Sequence, residues 1–358
     1  MSKTALITGI AGQDGAYLAQ FLLSKGMRVH GLMRWDSYID PVDGLGRLDA
    51  LGLVNDEITL HTGDITDANN VNMLVKEIAP DEIYNLAGLS QVAVSFQTPS
   101  STLDINTKGT LNVLDAVRVH GMEQTCRIYQ ASSSEMFGAV PGPQNEETDM
   151  KPCSPYGAAK LAAYHLARTY RESYGMHISN GILFNHESPL RGEDFVTRKI
   201  TKAVVEIEAG SNTVLRLGNL DSVRDWGDAR DYVQGMWSML QQDQGDDYIL
   251  ATGEAHSVRD FVERAFAHTG TQIAWEGEGV DEIARDSKTG RTLVEVDPQF
   301  FRPLEVNHLL GDASKAKEKL GWAPQTSFDD LVAAMVNADR ALIADRMQED
   351  QASWKKAG

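Results

Sequence analysis

The chain has 358 residues, a formal net charge of −18 and a sequence pI of about 4.9. This acidity excludes an extended nucleic-acid surface, because phosphate backbones are bound by clustered Lys and Arg. Two cysteines, Cys126 and Cys153, are too few for a disulfide framework or a cysteine metal cluster, which favours a reducing compartment. The N-terminus lacks a signal-peptide pattern, and no apolar run approaches the roughly 18 residues of a membrane span. The sequence therefore predicts a cytoplasmic protein that contacts neither membrane nor nucleic acid.

The first half of the chain alternates short apolar runs with helical patterns. Helices are predicted near residues 75, 110 and 165. The predicted strands cover residues 4–8, 28–33, 58–62, 82–86, 127–130 and 178–184, with one more at 247–251. Such alternation indicates an α/β fold with a Rossmann-like, doubly wound parallel sheet.

The pattern loosens after about residue 185, and this change sets the predicted domains. Residues 1–184 form a dinucleotide-binding Rossmann domain, with a returning strand near 230–252. Residues 185–229 and 253–345 form a smaller α/β substrate-binding lobe, expected over the carboxyl ends of the strands. Within it, Ser257 and Asp260 predict a helix start, Gly321 predicts a helix end, and 275–300 reads as loop-rich. Residues 346–358 are predicted to be a frayed polar tail.

A glycine motif follows the first predicted strand. Gly9, Gly12 and Gly15 are each three residues apart and lead into a helix whose C-terminal cap is predicted at Gly26. Glycines let the backbone approach a pyrophosphate, and a helix N-terminus favours negative charge. A simple tight turn is the alternative, but the strand–turn–helix context favours a bound dinucleotide.

The residue type at the end of the second predicted strand indicates whether NAD or NADP is bound. An acidic residue there would hold the ribose hydroxyl of NAD, whereas Arg34 favours the 2′-phosphate of NADP. Trp35 and Asp36 follow, and the Asp36 carboxylate would repel a phosphate. Asp64, after the third strand, either holds the adenine amino group or caps a helix. The sequence favours NADP.

Four residues carry the predicted catalysis. Tyr156 and Lys160 are four residues apart and so lie on one helix face. An ammonium beside a phenol favours the phenolate, which can take a proton from a sugar hydroxyl near neutral pH. Ser133 and Glu135 follow a strand end and add a hydroxyl and a carboxylate, although turn residues would look the same.

Several cations lie in the predicted lobe. Each taken alone reads as a solvated surface charge, but together they would clamp a diphosphate. They are Arg191, Arg198, Lys199, Arg224 and Arg302.

Longer stretches resemble a known family. The glycine spacing and the Tyr-x-x-x-Lys pair resemble the extended short-chain dehydrogenase/reductases, and within them the GDP-mannose 4,6-dehydratases. The resemblance covers residues 2 to about 340, and it rests on stretches beginning at Thr8, Gln130, Tyr170, Asn180, Phe195, Arg224 and Phe301. The Asn-His-Glu-Ser-Pro and Arg-Lys-Ile-Thr stretches make it specific, since they are not general to the superfamily.

This resemblance implies a dehydration of GDP-mannose to GDP-4-dehydro-6-deoxymannose with tightly bound NADP. Tyr156, assisted by Lys160, takes the 4-hydroxyl proton during oxidation at C4, and Ser133 hydrogen-bonds the 4-oxygen. The new ketone acidifies C5, Glu135 removes that proton, and water leaves from C6. Hydride then returns to C6, so the cofactor is regenerated in each cycle.

The resemblance also implies the ligand contacts. The implied cofactor-binding residues are Gly9, Gly12, Gln13, Asp14, Gly15, Arg34, Asp64, Ile65, Leu86, Ala87, Ser90, Tyr156, Lys160, His186 and Arg191. The implied substrate-binding residues are Gln91, Ser133, Glu135, Asn185, Lys199, Arg224, Arg302 and Glu305, with Glu305 on the guanine edge. No metal site is implied.

Three departures from the family pattern leave alternatives open. Ser133 stands where threonine is more usual, and Arg34-Trp35-Asp36-Ser37 replaces an arginine pair and serines. Gln91 stands where histidine or phenylalanine is common, near the expected sugar. Another GDP sugar, such as a GDP-manno-heptose, is therefore a second candidate substrate.

Two other activities and the assembly state complete the sequence-based expectations. A sugar epimerase is disfavoured because Glu135 supplies the carboxylate for C5, and a silent regulator is disfavoured because all four reactive groups are present. The family implies a homodimer or homotetramer formed through the helices near 110 and 165. Residues that would supply such a face, or be buried within one subunit instead, are Leu161, Ala162, Tyr164, His165 and Leu166.

Overall fold

The computed structural model describes residues 2–35, 45–53, 58–301, 306 and 308–357, and the side chains of 346–357 are outside this description. The chain divides into two compact units. The first comprises Met1–His186, Asp225–Glu254 and His308–Gln325, and the second comprises Glu187–Arg224, Ala255–Asn307 and Thr326–Gly358. In the described ranges, no helix combines the length and the apolar character that crossing a bilayer would require.

The regular elements are numbered in chain order. The strands are β1 (Thr4–Thr8), β2 (Arg28–Met33), β3 (Ile58–Thr62), β4 (Glu82–Asn85), β5 (Arg127–Ser133), β6 (His177–Leu183), β7 (Asn185–Glu187), β8 (Leu215–Leu217), β9 (Val223–Arg224), β10 (Trp226–Asp228), β11 (Asp247–Leu250), β12 (His256–Ser257), β13 (Ile273–Glu276), β14 (Ile283–Asp286) and β15 (Thr292–Val296). The α-helices are α1 (Gln13–Ser24), α2 (Leu45–Ala50), α3 (Ala68–Ile78), α4 (Val92–Gln97), α5 (Pro99–Leu103), α6 (Gly109–Val119), α7 (Pro155–Tyr174), α8 (Val196–Glu208), α9 (Ala229–Leu240), α10 (Val258–His268), α11 (Ser314–Leu320) and α12 (Phe328–Ala357).

The first unit is built on a seven-stranded sheet in the order β11-β6-β5-β4-β1-β2-β3, with parallel neighbours throughout. Strands β1, β4 and β11 are buried along their whole length, which is expected of a sheet covered on both faces. The predicted Rossmann-like sheet is confirmed. Strand order reverses between β1 and β4, and ligands of such sheets bind at the carboxyl ends beside that reversal.

Helix ends in both units show the usual capping chemistry, and the caps at Ser257 and Gly321 were predicted from the sequence. Helix α7 begins at Pro155 after Ser154, whose hydroxyl accepts the Gly157 amide at 3.0 Å. Helix α10 carries the predicted reciprocal cap between Ser257 and Asp260. Gly321 ends α11 in the left-handed region, at φ 65°.

Two predictions for the second unit are wrong. Residues 275–300 were expected to be loop, but β13, β14 and β15 join β8 there in a four-stranded sheet. These strands have four or five residues and are mostly half-buried, so charged residues mask their alternation. The end was expected to fray, but α12 continues to Ala357, because this segment has no glycine or proline to stop a helix.

Candidate active site

The glycine turn between β1 and α1 is packed so tightly that a side chain is excluded at Gly9 and Gly15 and crowded at Gly12. Gly9 has φ +73°, and a Cβ there would lie 2.9 Å from the backbone of Ala87. A Cβ on Gly15 would lie 2.4 Å from the Gly9 carbonyl oxygen, and one on Gly12 would lie 3.2 Å from it. The turn therefore offers bare backbone and the N-terminus of α1 at the sheet reversal, as a pyrophosphate requires.

The first turn of α1 is connected to the residues after β6. The His186 ring contacts the Asp14 carboxylate at 2.8 Å, and Gln13 donates to the His186 carbonyl oxygen at 3.1 Å. The His186 ring also stacks on Tyr232, with centroids 4.8 Å apart. The structure thus brings together Gln13, Asp14 and His186, three residues expected beside the cofactor. Asn185, the first residue of β7, is half-buried.

Arg34 and Asp64 lie at the carboxyl ends of β2 and β3. The Asp64 carboxylate accepts the Thr66 amide at 2.8 Å and its hydroxyl at 2.6 Å. Burial acts to raise the pKa of Asp64, but the Thr66 hydrogen bonds and the Arg34 charge bring it below its usual value. Asp64 therefore closes a turn, whereas the cap of α3 is Asp67. Trp35 is 70% exposed, and Asp36 lies outside the described residues.

The loop after β4 contains four more predicted ligand contacts. The Leu86 and Ala87 amides donate to Thr8, at 3.2 and 3.1 Å, which ties this loop to the end of β1. Ser90 is exposed, and Gln91 is half-buried at the start of α4. Ile65 is 5% exposed and belongs to the hydrophobic core, so its side chain is structural.

The four predicted catalytic residues come from β5, the turn after it, and α7. Ser133 ends β5, and its hydroxyl accepts the amide of Glu135, which lies in the 3₁₀ turn Ser134–Met136. A Cβ on Gly157 would lie 2.6 Å from the Glu135 carbonyl oxygen, so the first turn of α7 packs directly on this turn. Tyr156, in that first turn, is 8% exposed.

Lys160 is buried beneath Tyr156, one helical turn further along α7. Its ammonium donates to the Ala131 carbonyl oxygen at 2.9 Å and lies 5.9 Å from the centroid of the Tyr156 ring. Burial lowers the pKa of Lys160 to about 8, and the Asp14 charge opposes this shift. The lysine can therefore titrate close to physiological pH.

The cations of the second unit are mostly engaged with carboxylates or carbonyls. Arg198 is 6% exposed and pairs with Asp339 at 2.8 Å, which connects α8 to α12, and its predicted diphosphate contact stays a prediction. Arg191 lies 3.0 Å from the Glu187 carboxylate and over the Phe195 ring. Arg224 is buried and donates to the Val223 carbonyl oxygen, and Lys199 lies over the Phe300 ring. Arg302 and Glu305, two further predicted substrate contacts, are outside the described residues.

Comparison with known proteins identifies the family. A profile described as GDP-mannose 4,6 dehydratase matches residues 6–335. The GDP-mannose 4,6-dehydratase of Yersinia enterocolitica is 52% identical over 352 residues, 94% of each chain. The chain belongs to the GDP-mannose 4,6-dehydratase family. The human GDP-mannose 4,6 dehydratase is 49% identical over 347 residues, which cover 95% of this chain and 92% of the human one.

Solved structures support the fold. A Thermus thermophilus UDP-glucose 4-epimerase in complex with NAD has a TM-score of 0.76 at 24% identity, covering 94% of this chain and 99% of that one. A Pseudomonas aeruginosa protein named RMD, complexed with NADPH, has a TM-score of 0.72 at 21% identity, covering 95% and 100%. These similarities show that this dehydratase-family chain shares their architecture.

Sequence reasoning missed Asn106, which lies beside Lys160. Asn106 is 1% exposed, and its amide donates to the Leu89 carbonyl oxygen at 3.1 Å. A Cβ built on Gly88 would be 2.6 Å from the Asn106 side-chain oxygen and 3.5 Å from the Lys160 nitrogen. That oxygen accepts no hydrogen bond from the described residues. Asn106 lies in the π-helical stretch Asp104–Lys108, a distortion that residue spacing does not reveal.

A buried polar ladder across the strand ends was also missed. The Thr8 hydroxyl donates to Asn85 at 2.8 Å, and the Asn85 amide donates to Gln130 at 2.7 Å. These side chains project from β1, β4 and β5 and satisfy one another, which fixes the edge where the glycine turn lies. A polar residue near the end of each apolar run was the available signal.

Proposed function

We propose that this protein removes water from GDP-mannose to give GDP-4-dehydro-6-deoxymannose, with NADP as its resident cofactor. The observation that carries the proposal is the packing of the Ser133–Glu135 turn against the first turn of α7. This packing supports the proposal because it makes neighbours of the segments that carry the hydroxyl, carboxylate, phenol and ammonium that the reaction needs. Membership of the dehydratase family supports the same conclusion.

The residues of the first unit fit a nicotinamide dinucleotide. Gly9 and Gly15 leave no room for a Cβ and Gly12 leaves little, so backbone amides at the start of α1 would hold the pyrophosphate. Arg34, at the end of β2, would hold a 2′-phosphate, which favours NADP over NAD. When bound, the nicotinamide takes hydride from C4 of the sugar and returns it to C6.

Oxidation at C4 requires a base for the 4-hydroxyl proton. Tyr156 would accept that proton, and the Lys160 ammonium beneath its ring favours the phenolate. The hydrogen bond from Lys160 to the Ala131 carbonyl oxygen fixes this ammonium in place. The Ser133 hydroxyl, which already accepts the Glu135 amide, retains its own proton to donate to the 4-oxygen.

Elimination follows from the ketone formed at C4. A carbonyl makes the proton on the neighbouring C5 acidic, and the Glu135 carboxylate would remove it as the C6–O bond breaks. The proton and the departing hydroxyl form water, and the double bond is then between C5 and C6. Hydride at C6 and a proton at C5 complete the product, so the sugar nucleotide loses one water with no net redox change.

A second candidate is the same reaction on another GDP sugar, such as a GDP-manno-heptose. The observation in its favour is Gln91, half-buried at the start of α4, where the family more often has a histidine or phenylalanine ring. A heptose has one more hydroxymethyl group, and an amide side chain would leave room for it and a hydrogen bond to it.

Isotopic labelling tests the proposed reaction most directly. With GDP-mannose carrying deuterium at C4, we expect the product to lose one water in mass and to retain the label at C6. In D₂O, unlabelled substrate should gain one deuterium at C5. An epimerase would instead leave the mass unchanged, and turnover of a GDP-manno-heptose without turnover of GDP-mannose would favour the second candidate. If neither sugar nucleotide loses water, the proposal is wrong.

Activity is expected to fall as pH rises through about 8, where the buried Lys160 loses its proton. Its pKa is below the ordinary lysine value, so the protonated form is present below about 8 and disappears above it. The measurement is kcat/KM from neutral pH to the ordinary range of lysine. Lys160→Arg keeps its charge over that range. If this variant shows the same basic limb as the wild type, another group is titrating.

Assembly into a homodimer or homotetramer stays a prediction for which α6 and α7 remain the proposed face. Tyr164, one of the predicted interface residues, is 2% exposed and donates to Asp247 at 2.9 Å within the first unit. The Tyr164 side chain is therefore buried within the subunit and is not available to an interface. Leu111 and Val119 on α6 are 36% and 53% exposed and would have to supply apolar area instead.

A further inference from the structure

Helix α8 carries three cations in different electrostatic settings. Arg198 pairs with Asp339, and Lys202 pairs with Glu193. Lys199 makes no ion pair with any carboxylate in the part of the chain that is described. Its ammonium lies instead 3.6 Å from the centroid of the Phe300 ring.

The carboxylate whose charge acts on Lys199, that of Asp297, already accepts other hydrogen bonds. Burial lowers the pKa of Lys199, and the Asp297 charge opposes this. Both Asp297 oxygens accept hydrogen bonds from Gln299, from its amide nitrogen at 3.0 Å and from its side chain at 2.6 Å. The Asp297 charge thus acts on the lysine from a distance and opposes the effect of burial, while its oxygens bind Gln299 rather than the Lys199 N–H groups. The ring face attracts the ammonium but accepts little hydrogen bonding from it.

The position of Phe300 is set by backbone contacts. It ends the 3₁₀ turn Pro298–Phe300, and its amide donates to the Asp297 carbonyl oxygen at 3.1 Å. Asp297 in turn donates its amide to the Leu217 carbonyl oxygen at 2.7 Å. A Cβ on Gly218 would be 2.8 Å from the Phe300 carbonyl oxygen, so the glycine permits this approach. The ring remains 45% exposed, which places the lysine against it at the surface of the second unit.

We propose that Phe300 is a positioning residue that holds the Lys199 ammonium, unpaired, for the diphosphate of the sugar nucleotide. This inference rests on the proposed function, since a GDP sugar supplies the diphosphate. A carboxylate in place of the ring would compete with the phosphate for the ammonium. An aromatic face competes less, so the N–H groups of the ammonium stay available to a charged acceptor. The ring also fixes a flexible lysine side chain, which lowers the entropy lost on binding.

Substitution of Phe300 tests this role, and the neighbouring ring provides a matched control. Phe300 and Phe301 are both 45% exposed, but Lys199 lies over Phe300. The probes are GDP and inorganic pyrophosphate, titrated calorimetrically into the holoenzyme. In Phe300→Leu, we expect both affinities to fall by about fivefold, the loss of one cation–π contact. Phe300→Tyr should restore binding, and Phe301→Leu should change neither affinity.

Kinetics and a double-mutant cycle separate positioning from a merely structural effect. Phe300→Leu should raise KM by the same factor while kcat stays near wild type. In a Lys199→Met background, Phe300→Leu should have no further effect on pyrophosphate binding, because the two residues act as a unit. The proposal is overturned if Phe300→Leu binds pyrophosphate normally, if Phe301→Leu weakens it equally, or if the two losses add. Failure of wild-type turnover would refute the dehydratase reaction alone, because pyrophosphate binding is measured without turnover.

Discussion

Replacing Tyr156 by phenylalanine is expected to lower kcat by about three orders of magnitude, the middle of the range for a lost general base. The substitution removes one oxygen from a ring that is 8% exposed, so the packing of α7 should survive. Bound nicotinamide and the melting temperature should therefore stay near wild type. The measurement is product formation from GDP-mannose, with cofactor content read from the protein's absorbance after denaturation.

Tyr164, two turns along the same helix, provides the matched control for this change. Its hydroxyl is buried and donates to Asp247, so Tyr164→Phe should lower the free energy of unfolding by about 1 kcal/mol and leave kcat unchanged. The two variants thus have opposite signatures in activity and stability. A Tyr156→Phe enzyme with more than a tenth of wild-type kcat would remove Tyr156 from its assigned role.

Replacing Glu135 by glutamine is expected to split the reaction at the ketone stage. Oxidation at C4 depends on Tyr156 and Lys160 and should persist, whereas water loss should slow by about two to three orders of magnitude without a carboxylate base. The glutamine side chain has nearly the same shape as that of glutamate. The hydrogen bond from the main-chain amide of residue 135 to the Ser133 hydroxyl does not involve the side chain of residue 135. Mass spectrometry after denaturation should find a 4-keto sugar nucleotide that has lost two hydrogens but no water.

Deuterium exchange gives the decisive readout for Glu135. In D₂O the wild type should introduce deuterium at C5, while Glu135→Gln should leave C5 protonated in recovered material. Glu147→Gln, an exposed carboxylate on the loop before α7, should behave as wild type. Solvent deuterium at C5 in the Glu135 variant at the normal rate would assign proton removal to a different group.

The parallel sheet was predictable because most of its strands are largely buried and short apolar runs such as β1 alternate with helical patterns along the chain. The glycine turn was predictable for a related reason: Gly9 and Gly15 lie where a Cβ would overlap backbone, and no other residue can substitute. The strands β13 to β15 were missed because each is short and partly exposed, and their charged residues dilute any alternation. Local pattern is informative where burial is complete and weak where it is partial.

Side-chain partners were harder to predict than elements. Arg198 and Lys199 are adjacent in sequence, yet Arg198 is buried and forms an ion pair with Asp339, whereas Lys199 lies over the Phe300 ring. The difference depends on which way α8 faces α12, and helical spacing alone does not determine this. Asn106 was missed because its position beside Lys160 depends on a π-helical distortion. Both cases concern contacts between residues distant in sequence.

Because the glycine turn presents main-chain amides, binding of the cofactor's pyrophosphate there does not depend on the net charge of the protein surface. A pyrophosphate held by main-chain amides is recognised by groups that every residue carries, and these are independent of side-chain charge. Substitutions elsewhere can therefore make the protein strongly acidic without weakening this grip on an anion. A net charge of −18 is compatible with an anionic ligand for this reason. Binding of the pyrophosphate then depends on the close backbone approach at Gly9 and Gly15 rather than on the total charge of the chain.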